Sequence, residues 1–224
     1  VHLPDGWIDV PTSAGAYAVA AGATAVSAKR AGAAFRGRVT TLPAVIAAYV
    51  LVAQLLVVPV GLGTSAHLIG TGLAALLVGP DVAIVCVSAV VVVQALLLAD
   101  GGVTAIGLNV LNDGVVPALV AWAVWLGLRD RLRSAATAGG IAAGLASFVA
   151  GGAAALEFVV GGTHAVPAGT VAASIGGAHV LIAVAEGVLT GAVLRVLLRR
   201  RPDLVRAVRR PAAAPLPAVQ DQAA

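Results

Sequence analysis

The chain has 224 residues, of which 60% are hydrophobic and only 11% charged, with a formal charge of +4. That charged fraction is too small to cover a soluble domain, so the chain belongs in a bilayer as one multi-span domain. The basic residues sit at span ends without interleaved aromatics, which excludes a nucleic-acid surface. The lone cysteine, Cys86, excludes an internal disulfide and a thiolate metal cluster.

The chain opens Val1-His2-Leu3-Pro4-Asp5-Gly6. A free amine on Val1, the deprotonated backbone amide of His2 and the His2 imidazole can close two fused chelate rings around one ion. Planar nitrogen donors suit Ni(II), Cu(II) or a related divalent metal. The alternative is a terminal histidine that binds nothing. No basic region precedes the first apolar segment, so no secretory signal is read. Val1 is expected to be the encoded start, a GTG codon read as Met.

Apolar segments follow at 13–28, 40–60, 67–79, 82–99, 103–128, 135–160 and 169–197. They are long and apolar on all sides, which predicts helices rather than a barrel. The segment 67–79 is short, rising only about 20 Å as a helix, and is expected to be shielded by its neighbours. The predicted fold is an all-α integral membrane protein: a seven-helix bundle with a short third helix.

Lys29, Arg30, Arg36 and Arg38 lie between the first two segments, and Arg129, Arg131 and Arg133 between the fifth and sixth. Arg195, Arg199, Arg200, Arg201, Arg206, Arg209 and Arg210 lie at or after the end of the seventh. Seven spans put every Lys and Arg on one side, which the positive-inside rule makes cytoplasmic. The N-terminus, the 60–67 loop, the 99–103 turn and the 160–168 loop then share the outer face, and the C-terminus is cytoplasmic. Residues 1–201 form the membrane domain; residues 202–224, rich in Ala, Pro and Arg, read as a disordered cytoplasmic tail.

Within the first span, Ala14, Ala18 and Gly22 repeat at four-residue spacing, as do Ala16 and Ala20. Such faces let helices approach closely in lipid, either inside the bundle or against another membrane subunit. His67 closes the string GLGTSAH, where Thr64 and Ser65 can orient an imidazole. It is a candidate fourth metal donor, or else a hydrogen-bonded interfacial histidine. Asp5 is a further candidate for orienting a ligand.

Asp100 opens an Asp-Gly-Gly turn and is either an orienting carboxylate or a helix cap. Asn109, nearer the outside, is another candidate for orienting a ligand, whereas Asn112 reads as interhelical hydrogen bonding. Asp113 falls near the middle of the fifth span, and His179 and Glu186 share a face of the seventh. Ionisable groups at such depth suggest function. A buried polar cluster, with Glu186 or Asp113 paired to His179, is the favoured reading, since His2 would reach a metal there poorly. Glu157 and His164 read as outer-end residues, and Cys86 as a small buried apolar residue.

The strings HLPDGWID, GTSAHLIG, QALLLADGGVTAIGLNVLN, LEFVVGGTHA and HVLIAVAEGVLT together resemble the CbiM/NikM family, and the resemblance covers most of the chain. These are the metal-capturing membrane subunits of cobalt and nickel energy-coupling factor transporters. The resemblance implies capture of Co(II) or Ni(II) by the amine of residue 1, the amide and imidazole of His2, and His67. It also implies a transmembrane T subunit, two cytoplasmic ATPases, often a small accessory membrane protein, and no resident cofactor. Ala14, Ala18 and Gly22 resemble the face that meets the T subunit. Ala66 and Asp113 depart from the family pattern, where a glycine and an apolar residue are commoner.

The implied location is a prokaryotic cell membrane. Two alternatives remain: an intramembrane acid/base enzyme using Glu186, His179 and Asp113, or a structural membrane subunit.

Overall fold

The computed structural model describes residues 2–32, 34–35, 41–61, 64–163 and 166–208. Val1, Arg36, Arg38, His164, Arg209, Arg210 and the rest of the tail lie outside the described residues. Helix α1, Val10–Ala31, starts where the Asp9 carboxylate accepts the Thr12 N–H at 2.9 Å, with Pro11 in its first turn. It ends on Lys29 and Arg30, whose charges complement the carbonyl end of the helix. The two small-residue stripes of this helix part company: Ala16 and Ala20 are buried, whereas Ala14, Ala18 and Gly22 are exposed.

Helix α2, Thr41–Gln54, stops short of the predicted segment end at 60. The next residues form an antiparallel hairpin, β1 Val57–Gly61 and β2 Thr64–His67, with Val57 opposite His67. A β-branched run interrupted by Pro59 disfavours a continued helix, because proline removes a donor and crowds the preceding turn. The helical bundle therefore carries one small hairpin, and His67 sits at its end.

Helix α3, Thr71–Val78, is short as predicted, and every one of its residues is buried. Gly79, at φ 89°, turns the chain directly into α4, Pro80–Leu97. Helix α5 runs Ile106–Leu128 and contains a wider π turn at Leu111–Val115. Pro117 explains this turn. It has no N–H to offer the carbonyl of Asp113 four residues earlier. The Thr71 hydroxyl of α3 donates to that carbonyl instead.

Helices α6, Ala135–Gly161, and α7, Ala168–Arg200, pack along a glycine seam. A Cβ built on Gly140 would lie 2.6 Å from the Gly187 carbonyl oxygen, and one on Gly144 2.7 Å from that of Ala183. Helices α4, α5, α6 and the stretch Gly169–Arg200 of α7 are long and apolar enough to cross a membrane. The protein is a multi-pass membrane protein.

The two ends of the bundle differ. At one end Arg30 lies 3.9 Å from Asp81, and Arg206 packs over Gly79. Residues Pro202–Leu204 and Arg206–Val208 form two 3-10 turns there, with Val205 and Ala207 buried. The start of the expected tail is thus packed against the bundle. The opposite end gathers the N-terminal segment, the hairpin, the 98–105 loop and the start of the α6–α7 connection.

Candidate metal centre

The N-terminal segment threads across that second end instead of projecting from it. Asn109 holds the Leu3 peptide from both sides: its Oδ1 accepts the Leu3 N–H at 2.7 Å, and its Nδ2 donates to the Leu3 carbonyl at 3.2 Å. The Gly102 N–H donates to the same Leu3 carbonyl at 2.9 Å. Asp5 accepts from the backbone N–H and the hydroxyl of Thr104, at 2.7 and 2.6 Å. On the other flank, the Thr163 hydroxyl donates to the Gly6 carbonyl at 2.6 Å, and the Asp9 N–H donates to the Gly161 carbonyl at 2.7 Å.

The Gly101-Gly102 pair makes this threading sterically possible. Gly101 adopts φ 88°, in the left-handed region that favours glycine. A Cβ on Gly102 would collide with the Asp5 backbone. Leu3 and Ile8 fill the small core beneath the segment with Leu108, Phe158 and Ile175.

This anchoring carries the His2 imidazole into the bundle, where its side chain is 4% exposed. Its ring lies 4.6 Å from that of His67, centroid to centroid. Nδ1 of His2 is 3.0 Å from Asp100 Oδ1, and Nε2 is 3.3 Å from Asp113 Oδ2. One ligand atom each from His2, His67 and Asp113 lie within 4.8 Å of one another, close enough to share an ion.

The loop after His67 is fixed separately. Glu186 on α7 accepts the Gly70 N–H at 2.7 Å, Gly70 itself being at φ 74°. Gln54 on α2 donates to the Ile69 carbonyl at 3.2 Å. His67 Nδ1 lies 3.0 Å from the Leu68 carbonyl. With the proton on Nδ1, that contact is a hydrogen bond and Nε2 carries the lone pair.

The two histidines differ electrostatically. Burial pushes His67 down to about 3, so its ring is neutral at any ordinary pH. Burial also works against charge on His2, but the Asp100 and Asp113 carboxylates outweigh it and hold its pKa above 6.5. Hydrogen bonding to His2 in turn lowers the pKa of Asp100.

The structure therefore brings together His2, His67 and Asp100, and places Asn109 and Asp5 as clamps on the N-terminal segment. Val1 lies outside the described residues. Thr64 and Ser65 belong to β2 next to His67. Two expectations need correction. Asp113 faces His2, which reaches it because the N-terminal segment enters the bundle. Glu186 holds Gly70, while His179 Nδ1 lies 2.9 Å from the Ile175 carbonyl of its own helix. Asn112 donates to Glu157 at 2.6 Å, the interhelical bond expected of it. Proline at 117 was the available signal for Asp113, because it forecasts a disturbed turn four residues earlier.

Residues 2–204 match the family described as "Cobalt uptake substrate-specific transmembrane region". The chain is 34% identical to the fused nickel transport protein NikMN of Rhodobacter capsulatus, covering 95% of this chain and 66% of that one. It is 32% identical to the cobalt transport protein CbiM of Geobacter sulfurreducens, covering 92% and 61% respectively. The fold matches the crystal structure of a truncated transition metal transporter with a TM-score of 0.82 and 26% identity, over 89% of this chain and 99% of that one.

Proposed function

The chain belongs to the CbiM family of cobalt-uptake substrate-specific transmembrane regions, and on that premise we propose that it captures Co(II) or Ni(II) at His2 and His67. The observation that carries this reading is the buried pairing of the two imidazoles, 4.6 Å apart, at the end of the bundle opposite Arg30 and Arg206. The neutral state of His67 supports it, since a metal takes an unprotonated nitrogen.

The amine of residue 1 and the deprotonated amide of His2 complete a planar nitrogen set with His2 Nδ1 and His67. Such a set selects Ni(II) or Co(II) over Mg(II) and Ca(II), which take oxygen shells. The positive-inside rule makes the capturing end the outer face of a prokaryotic cell membrane.

Delivery inward needs work that this chain's residues do not supply. The chain acts as the substrate-specific subunit of an energy-coupling factor transporter. Its partners are a transmembrane T subunit, two cytoplasmic ATPases and a small accessory membrane subunit. The exposed stripe Ala14, Ala18 and Gly22 on α1 supports docking of the T subunit, because small residues let another helix approach closely.

Binding of Ni(II) and Co(II) to the purified protein tests the site, and uptake of the radiolabelled ions by the assembled transporter tests the function. Capture is expected to be lost in His2→Ala, in His67→Ala and after acetylation of the terminal amine. Undiminished binding after all three changes overturns the proposal.

A further inference from the structure

His2 stands between two carboxylates that differ sharply in freedom. The Asp113 side chain is 1% exposed and the Asp100 side chain 31%. Asp113 lies in a membrane-crossing helix, and its own backbone carbonyl is taken by Thr71 of α3. Asp100 sits in the loop between α4 and α5. Asp113 is thus enclosed by the bundle, whereas Asp100 is partly open to solvent.

The chemistry of the proposed chelate decides which nitrogen meets the ion. The ring formed with the His2 amide closes through the near nitrogen, Nδ1; Nε2 lies too far round the imidazole. The nitrogen facing Asp100 is thus the ligand, and the nitrogen facing Asp113 is not. Incoming metal takes the place of Asp100 at Nδ1 and leaves the Asp113 contact intact.

We propose that Asp113 is a positioning residue for metal capture: it accepts the Nε2–H of His2, fixing the ring so that the Nδ1 lone pair faces the ion. A metal-binding histidine whose second nitrogen donates to a carboxylate is held in one tautomer and one orientation, and becomes a stronger donor. Charge points the same way. A dication with one deprotonated amide, a neutral amine and two neutral imidazoles retains one positive charge. The Asp113 carboxylate cancels it where water cannot.

This inference rests on the capture reading, and one experiment separates the two. Full-length protein in detergent is titrated with nickel chloride and cobalt chloride against a competing chelator, for the wild type, His2→Ala, Asp113→Asn and Asp113→Leu. The Leu variant is expected to bind about 10- to 100-fold more weakly. The Asn variant recovers part of this, because its amide oxygen still accepts from Nε2. The visible ligand-field bands of bound Ni(II) keep their positions in the Asn variant, because the donors themselves are unchanged.

Nitrogen-15 shifts of the His2 ring in the metal-free protein report the tautomer directly. At a pH above the raised His2 pKa, where the ring is neutral, they are expected to show Nε2–H in the wild type and a mixture in the Leu variant. If the Leu variant unfolds, the Asn variant and the wild-type shifts decide. Affinity in both variants within twofold of wild type, or a wild-type ring protonated on Nδ1 alone, overturns the role of Asp113. So does a ligand-field change showing loss of an oxygen donor in the Asn variant. Binding that survives His2→Ala overturns the capture reading instead.

Discussion

Asn109 grips the Leu3 peptide by both of its polar groups, at 2.7 and 3.2 Å, and so fixes the residue that follows His2. Replacing Asn109 by Leu leaves the buried Leu3 N–H without its acceptor. Such a loss costs about 1–3 kcal/mol. The Asn109→Leu protein is expected to keep its helical content but bind Ni(II) and Co(II) roughly tenfold or more weakly. Titration and circular dichroism on the same sample check this.

Glu186 does for His67 what Asn109 does for His2. The Glu186→Gln variant retains an acceptor for the Gly70 N–H and is expected to bind metal nearly as the wild type does. Glu186→Ala leaves that N–H buried and unpaired, again at about 1–3 kcal/mol, and loosens the loop carrying His67. Metal affinity that falls in Ala and holds in Gln supports a loop anchor. The opposite order would point to the carboxylate's charge.

The pH dependence should have opposite signs with and without metal. Asp100 and Asp113 outweigh burial and raise the His2 pKa above 6.5. This contributes stability to the metal-free fold that is complete below 6.5 and is lost as pH rises through the raised value. Metal needs Nδ1 deprotonated, so capture is lost as pH falls through the same value. His67, pushed to about 3, adds no competition in this range. Asp100→Asn should move the capture midpoint to lower pH, which metal titrations across the neutral range will show.

The glycine seam makes a separate prediction about stability. A Cβ at Gly140 would lie 2.6 Å from the Gly187 carbonyl oxygen, so backbone rather than a flexible side chain would have to yield. Gly140→Ala is expected to destabilise the protein by about 1–3 kcal/mol, visible as a lower melting temperature in detergent. At the exposed Gly22, alanine meets nothing within 4 Å. That variant should melt as the wild type does, and reduced uptake in the assembled transporter would mark the docking face.

The helical plan was legible because most spans announce themselves by length, and three groups of basic residues fix which ends share a side. His2, His67 and Asp100 were legible as neighbours through chain order, since alternating spans return their loops to one end. The hairpin at Val57–His67 was hidden inside an apolar run whose hydropathy looks the same for helix and strand. Asp113 was assigned to the wrong neighbour for a different reason. Span counting treats the N-terminal residues as lying outside the bundle, whereas Asn109, Thr104 and Thr163 draw them in. Glu186 was read as a partner for another side chain, yet its partner is a backbone N–H, which carries no mark in the sequence.

The threaded N-terminal segment also sets an order of assembly. His2 is made well before Asn109, Asp113 and Thr163, which hold its segment. At about 5–20 residues per second, the wait for Thr163 is on the order of ten seconds. Until Asn109 is made the segment lacks its main clamp, and until Thr163 is made its second flank stays open. Seating the segment is thus a late step of biogenesis, and a truncated chain that stops before α6 lacks the Gly161 and Thr163 contacts that hold its second flank.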